Sequence, residues 1–213
     1  MLGATGAAQA AITFYITPAS FLAAVGQTGV DRFSELNPFV PFIEPPLLGP
    51  PLAGSAGPFS YNVNTTTGEL PAGFRSGASF GGENQIWLES LTTQDTLISS
   101  DFSSGVSSLG GNFFNTFFGG SVGAGVFGGI GITAGDADGI VSVSLGNTSW
   151  SSFAGVVSTT GSLNFVAAQS VRFFLESPFT SAAVDNLILA AAVPEPQTYA
   201  HRAWARIWNS ALA

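Results

Sequence analysis

The residues that most often carry out enzyme chemistry are nearly absent from this sequence. Its one histidine is His201, and it contains neither cysteine nor lysine. A Ser-His-Asp triad, a histidine-based metal centre, a thiolate ligand and a Schiff-base lysine therefore lack their residues in the body of the chain. The glycines of Gly125–Ile132 lack the Lys-Ser/Thr pair of a phosphate-binding loop. We therefore expect no catalytic residues.

Carboxylates remain as candidates for chemistry. Glu83 and Glu89 flank Trp87, and glycoside hydrolysis needs two acids together with a surface on which a sugar ring can stack. The alternative interpretation is that Trp87 belongs to the core and that both glutamates are solvated. The sequence favours this second interpretation, because tryptophan is buried far more often than it forms a sugar platform.

Asp136, Asp138 and Gly139 form the start of a calcium-binding loop, D-x-D-G. The remaining ligands are not spaced to match, so calcium would be at most a structural ion, and we expect no other cofactor. A β-turn between two strands explains the same residues, since aspartate and glycine favour turns. Asp185 and Asn186, on a predicted strand near the end of the body, are interpreted as structural hydrogen-bonding residues.

Composition limits the classes of partner. Charged residues make up 8% of the chain, hydrophobic residues make up 46%, and the net charge is −8. The hydrophobic content allows a packed core, so the low charge does not indicate disorder. The five basic residues are all arginines and are not clustered, which argues against nucleic-acid binding.

Short strands separated by Gly, Ser and Asn predict an all-β fold, a two-layer antiparallel β-sandwich of jelly-roll-like type. The one predicted helix is Pro18–Val25, in which Phe21, Leu22 and Val25 share a face and Gly26 follows. The proline-rich stretch Phe39–Pro51 is predicted to be a loop or an edge excursion. The predicted strands are Ser60–Asn64, Gln85–Leu88, Asp95–Ser99, Gly139–Leu145, Ser162–Ala167, Val171–Leu175 and Ala183–Ala190.

The glycine- and phenylalanine-rich segment Leu109–Ile132 has two interpretations. It could be a self-associating low-complexity tract, or it could contain two core strands. We favour core strands, with Phe113, Phe114, Phe117, Phe118 and Phe127 facing inward. The residues predicted to be mostly buried are Trp87, Phe113, Phe114, Ile140, Val143, Phe173, Leu187 and Leu189.

The segment Val193–Ala200 reads VPEPQTYA and resembles the C-terminal sorting signal of PEP-CTERM proteins, which are processed by an exosortase. The match consists of Val193, Pro194, Glu195, Pro196, Thr198, Tyr199 and Ala200. Looser similarity extends to body segments such as Asp31–Pro38 and Ala183–Leu189. The resemblance implies an exported surface or matrix protein, with an exosortase as processing partner if the tail is intact and exopolysaccharide as a candidate ligand.

The tail departs from the family pattern after Ala200. The family continues with an apolar span and then arginines, whereas this chain reads HRAWARIWNSALA, which has too few apolar residues to cross a bilayer. One hypothesis is a frameshift near Tyr199 or Ala200, because codons chosen for this tail give an apolar, glycine-bearing run when read one nucleotide later. We expect the tail as printed to form no stable membrane span.

Three segments follow from these observations. Residues 1–10, which end in the A-x-A pattern of Ala8 and Ala10, are interpreted as a signal-peptide remnant. Residues 11–190 form the sandwich, and residues 191–213 form the sorting tail. The expected function is that of a non-catalytic exported bacterial surface or extracellular-matrix protein. The alternatives are a carbohydrate-binding module and, less favoured, a polysaccharide hydrolase.

Overall fold

The computed structural model describes residues 12–36, 51–66, 74–78, 86–90, 96–117, 128–159, 161–172 and 180–193. Within these ranges the chain forms thirteen strands and one helix. The elements are β1 (Ile12–Tyr15), α1 (Pro18–Ala24), β2 (Val25–Asp31), β3 (Leu52–Ala56), β4 (Phe59–Thr66), β5 (Phe74–Ala78), β6 (Ile86–Ser90), β7 (Thr96–Ser100), β8 (Val106–Phe117), β9 (Gly128–Gly135), β10 (Ile140–Gly146), β11 (Phe153–Ser158), β12 (Phe165–Arg172) and β13 (Thr180–Ala192).

The strands form two antiparallel sheets, which confirms the predicted β-sandwich. Sheet A has the order β1-β11-β8-β13-β6-β5, and β2 also pairs with β13. Sheet B has the order β10-β9-β12-β7-β4-β3. From β7 onwards the chain passes repeatedly between the sheets, so neighbouring strands come from distant parts of the sequence.

Strand β13 organises sheet A, because it pairs with β8 along one edge and with two strands along the other. Val184 is paired with Leu88 of β6, and Leu187 is paired with Asp31 of β2. The pairing with β8 shifts register between Asp185 and Ile188, at the same point where the partner changes. The bulge therefore allows β13 to pair with β6 along one part of its length and with β2 along another.

The main core lies between the sheets. It contains Leu88, Leu109 and Phe113 of sheet A, and Tyr61, Ile130 and Ile132 of sheet B. Five of the eight residues predicted to be buried are confirmed to be so: Trp87, Phe113, Phe114, Leu187 and Leu189. Phe173 lies outside the described residues, as do Phe118, Phe127 and most of Phe39–Pro51, and the side chain of Phe117 is not described.

The prediction for Ile140 is wrong, since this residue is 67% exposed. Strand β10 lies at the edge of sheet B, and successive side chains of a strand point to opposite faces. Val141, Val143 and Leu145 point inward and are half-buried against the core, while Ile140 is on the outer face. Val143 is therefore only partly buried.

Helix α1 covers part of the outer face of sheet A. Thr17 caps it by accepting a hydrogen bond from the amide of Ser20 at 3.2 Å, and Pro18 begins it. Of the three residues predicted to share a face, Phe21 and Val25 are buried, whereas Leu22 is 47% exposed and does not lie with them. The helix ends at Ala24, and the extended Val25 ends it in place of Gly26.

Phe21 packs over two glycines of sheet A, beside the ring of Phe153 in β11. A Cβ atom at Gly155 of β11 would lie 2.4 Å from the ring of Phe21, and one at Gly110 of β8 would lie 3.0 Å from it. The two glycines therefore leave the space for the ring. With the helix on one face and the core on the other, every residue of β11 is buried, as in strands covered on both sides.

Candidate functional site

The segment Val193–Ala200 follows strand β13 directly in the sequence. Strand β13 continues two residues beyond the predicted boundary at Ala190, and Ala192 is paired with Val25 of β2. Val193 then leaves the sheet and is 49% exposed. Pro194, Glu195, Pro196, Thr198, Tyr199 and Ala200 lie outside the described residues.

The calcium-loop candidates form a turn between β9 and β10. The buried Asp136 accepts hydrogen bonds from the amides of Asp138 at 2.9 Å and Gly139 at 3.1 Å through one carboxylate oxygen. Its other oxygen accepts the hydroxyl of Ser158 at 2.7 Å, which ties this turn to sheet A. Asp138 is exposed. This geometry supports the β-turn interpretation, and the described residues contain no group of three or more acidic or histidine side chains that could hold a metal ion.

Trp87 lies at the centre of a buried aromatic cluster on the outer face of sheet A. It meets Phe114 edge-to-face with ring centroids 5.7 Å apart, and meets Trp150 in the same manner at 6.0 Å. Its indole Nε1 donates to Glu89 Oε2 at 3.1 Å. The interpretation of Trp87 as a core residue is therefore supported.

The expectation that Glu89 is solvated is wrong. Its side chain is only 2% exposed, because it lies on the same covered face of β6 as Trp87, two residues away. A buried carboxylate needs hydrogen-bond partners, and the indole supplies one of them. Arg75 is directly opposite Glu89 in the register of β5 and β6. Glu83 lies outside the described residues.

A second buried carboxylate shares this face. Glu89 is paired with Ala183 of β13, and Asp185 follows two residues later on the same side of the sheet. Asp185 is 6% exposed and accepts hydrogen bonds from the amide of Asn186 at 2.6 Å and its side-chain Nδ2 at 2.9 Å. Asn186 has φ of 50°, a left-handed conformation that asparagine tolerates. The expected structural role of this pair is consistent with these contacts.

Burial governs the ionisation of Asp185. Removal from water raises the pKa of its carboxyl above the usual value of 3.8, and the Asn186 amide and the charge of Arg32 oppose that rise. Raised pKa values in a pair of acids can mark a hydrolase. Both Glu89 and Asp185 are closed to solvent, however, so a polysaccharide cannot contact them in this conformation.

A polar pair that the sequence did not indicate joins the two sheets. The hydroxyl of Tyr61 in sheet B donates to Asp31 Oδ2 in sheet A at 2.7 Å, and the amide of Phe33 donates to Asp31 Oδ1 at 2.8 Å. Burial, followed by the charge of Asp31, raises the pKa of Tyr61 far above its usual value. The two residues are thirty positions apart in different strands, so no local spacing could have identified the pair.

Trp150 is the one tryptophan of the described residues that reaches solvent, and it is 39% exposed. The turn that carries it is held to β8: the amide of Asn115 donates to Thr148 Oγ1 at 3.2 Å, and the amide of Phe113 donates to the carbonyl of Ser152 at 2.8 Å. Trp150 is therefore an exposed aromatic ring on a hydrogen-bonded support.

Comparisons with protein-family models, with curated proteins and with solved structures find no match to this chain. The only helix among the described residues has seven residues, and none there is long and apolar enough to cross a membrane.

Proposed function

We propose that this chain is a non-catalytic exported bacterial protein of the cell surface or extracellular matrix, and that an exosortase recognises its Val-Pro-Glu-Pro segment when an apolar span follows it. The observation that carries the proposal is the position of this segment relative to the body. The last strand, β13, ends at Ala192, and the exposed Val193 leads directly into Pro194-Glu195-Pro196. A processing enzyme needs its recognition segment outside a folded sheet, and the pairing of β13 ends at Ala192, before this segment begins.

The body supports a passive role. Asp136 is used in a turn, and Glu89 and Asp185 are buried with hydrogen-bond donors beside them. Catalysis of hydrolysis needs acids that reach the substrate. A polysaccharide hydrolase is therefore less favoured than a surface protein.

The test uses a host that carries an exosortase. The chain receives a signal peptide and is produced in two forms, one with the tail as printed and one with the one-nucleotide-shifted apolar tail. We expect only the second form to be retained in the membrane, processed and delivered to the surface. Intact mass, carbonate extraction of membranes and immunoblots of cell fractions measure these three events.

The decisive variant changes Pro194, Glu195 and Pro196 together to alanine in the apolar-tailed form. We expect it to remain unprocessed in the membrane, while the matched Gln197→Ala variant, at the one position of the segment outside the match, is processed normally. Equal processing of the triple variant and its parent would show that the motif is not the recognition element, and the proposal would then fail.

Carbohydrate binding is the second candidate, and Trp150 is the observation that favours it. Aromatic rings that are exposed and rigidly supported stack well on sugars. Trp150→Ala should abolish retention of the chain on insoluble polysaccharide prepared from the host matrix. Ile16→Ala, which changes another exposed apolar residue, should leave retention unchanged. Absence of retention by the unmodified chain would exclude this candidate.

A further inference from the structure

Sheet B has one covered edge and one open edge. At the covered edge, β2 lies against β3: a Cβ atom at Gly29 would be 1.8 Å from the carbonyl oxygen of Ala56. At the open edge, β9 is the only described strand that pairs with β10, through seven consecutive residue pairs without a register shift. Ile140 is 67% exposed on this strand, so solvent reaches it.

The hydrogen-bond pattern shows which backbone groups point away from β9. The amide of Asp136 donates to the carbonyl of Gly139 at 3.0 Å, so position 139 faces β9. Because backbone groups alternate in direction along an antiparallel strand, positions 141, 143 and 145 also face β9. Ile140, Ser142, Ser144 and Gly146 therefore direct their N–H and C=O groups to the open edge. Among the described residues, these groups have no backbone partner.

This edge lacks the usual protection against pairing with another strand. Natural edge strands are short, carry lysine or proline, or contain a bulge. Strand β10 has seven residues, reads IVSVSLG without a charge or a proline, and forms a regular ladder with β9. Its β-branched residues also favour extended structure.

We propose that β10 is a self-association surface, on which β10 of a second copy of this chain pairs antiparallel about a two-fold axis at Val143. In this register Ser142 lies opposite Ser144 of the second copy, and Ile140 lies opposite Gly146. All four residues have outward-directed backbone groups, so their pairing would form about eight hydrogen bonds. The bulky Ile140 meets a residue without a side chain.

The inner side chains match in the same register. Val143 meets Val143 of the second copy, and Val141 meets Leu145. These residues are only half-buried in one copy and pack at the margin of its core. Pairing would therefore extend the core across the junction, which gives the association a hydrophobic contribution.

Charge does not oppose this register locally. No charged residue lies on β10, and the nearest acid, Asp138, would lie beyond Gly146 of the second copy at the end of the paired strands. Each chain has a net charge of −8, however, so two copies repel at long range. Salt screens such repulsion, and association should therefore strengthen as ionic strength rises.

The size of the surface determines the kind of association. Stable interfaces bury about 800 Å² on each partner, and a single seven-residue strand provides less. We therefore expect reversible association that depends on protein concentration. The inference rests on β10 alone and is independent of the sorting motif.

Sedimentation equilibrium of the full chain over a range of concentrations and salt levels tests the proposal. We expect a monomer–dimer equilibrium that shifts toward dimer with salt. Ser144→Pro removes an outward N–H without losing a bond to β9, and Ser144→Lys adds a charge to the edge, so each should weaken association about tenfold or more. The matched control is Ser55→Lys, an exposed residue of β3 at the other edge, which should leave the equilibrium unchanged. Thermal unfolding verifies that each variant is folded.

Cross-linking tests the register, because the chain has no cysteine of its own. Val143→Cys places two thiols opposite each other at the axis, where a disulfide can form on mild oxidation. Val141→Cys, on the same strand and face, places them about 13 Å apart along the strands. We expect a disulfide-linked dimer from Val143→Cys only. A monomer at all concentrations, equal weakening by Ser55→Lys, or equal cross-linking at both positions would each overturn the proposal.

Discussion

Single residues connect the two sheets of this protein through buried polar contacts. Tyr61 of sheet B donates to Asp31 of sheet A, and Ser158 of sheet A donates to Asp136 at the end of sheet B. A buried donor or acceptor that loses its partner costs about 1–3 kcal/mol. Sliding one sheet over the other would break these buried hydrogen bonds and is therefore unfavourable.

Removal of the tyrosine hydroxyl should be costly. Tyr61→Phe leaves Asp31 Oδ2 without its donor, and we expect the free energy of unfolding to fall by about 1–3 kcal/mol. Urea unfolding followed by circular dichroism at pH 7 measures this change. Tyr15→Phe is the matched control, and it should have a smaller effect because Tyr15 is only partly buried. Equal losses in the two variants would contradict the role of the buried bond.

Tyr61 should also set the alkaline limit of stability. Its pKa is raised in the folded state, so the unfolded chain loses the phenolic proton first, at about pH 10. The folded state then holds more protons, and stability falls as the pH rises above 10. The chain has no lysine, so few other groups can titrate in this range. Unfolding measured from pH 8 to 12 should show a decline that Tyr61→Phe reduces.

Asp185 should titrate above pH 3.8 in the folded protein, because burial disfavours its charged form. The contribution of Asp185 to the free energy of unfolding is therefore complete at a pH below its pKa in the unfolded chain. This contribution is lost as the pH rises through the higher pKa of the folded state. Arg32 opposes the shift, so Arg32→Ala should raise the pKa further. Carboxyl carbon NMR titration of both proteins measures this directly, and a lower pKa in the variant would contradict the assignment.

Strands differ in how much of their surface the fold covers. Strands β6, β8, β11 and β13 of sheet A have side chains buried on both faces. On the outer face these include Phe153 and Val157, which pack with Phe21 of α1, and Trp87, Phe114 and Ala183. Strand β10 of sheet B is half-covered on one face and open on the other. The energetic cost of a substitution should follow this difference.

Phe114 and Ile140 provide a matched comparison between strands. Phe114 is 1% exposed and packs on Trp87, so Phe114→Ala should lower the free energy of unfolding by about 3–5 kcal/mol. Ile140→Ala, at an exposed site, should change it by about 0.5 kcal/mol or less. Chemical unfolding of both variants gives the two values, and similar values would show that the outer face of sheet A is not a packed layer.

The described part of the molecule is a β-sandwich with β13 as the central strand of sheet A, and Val193 follows β13 directly. Strands β8, β6 and β2 all pair with β13, which is therefore central in sheet A. Loss of β13 would remove a pairing partner of all three strands.

Truncation should separate the body from the tail. A chain ending at Val193 should unfold with the same midpoint as the full chain, because β13 and its last pair, Ala192 with Val25, are retained. A chain ending at Asp185 should not fold, because it lacks the segment of β13 that pairs with β2. Thermal unfolding followed by circular dichroism checks both. A large loss of stability on removal of residues 194–213 would show that the tail belongs to the body.

The sequence alone determined the all-β class, the helix over Pro18–Ala24 to within one residue, and the burial of Trp87, Phe113 and Phe114. These features follow from local causes: apolar alternation, an N-terminal cap with proline, and glycine-rich turns between short strands. Only the tertiary structure decided that Ile140 is exposed, that Glu89 is buried, and that Tyr61 meets Asp31. Each of these depends on which distant strand lies alongside, or on what covers a face, and neighbours along the chain do not encode that.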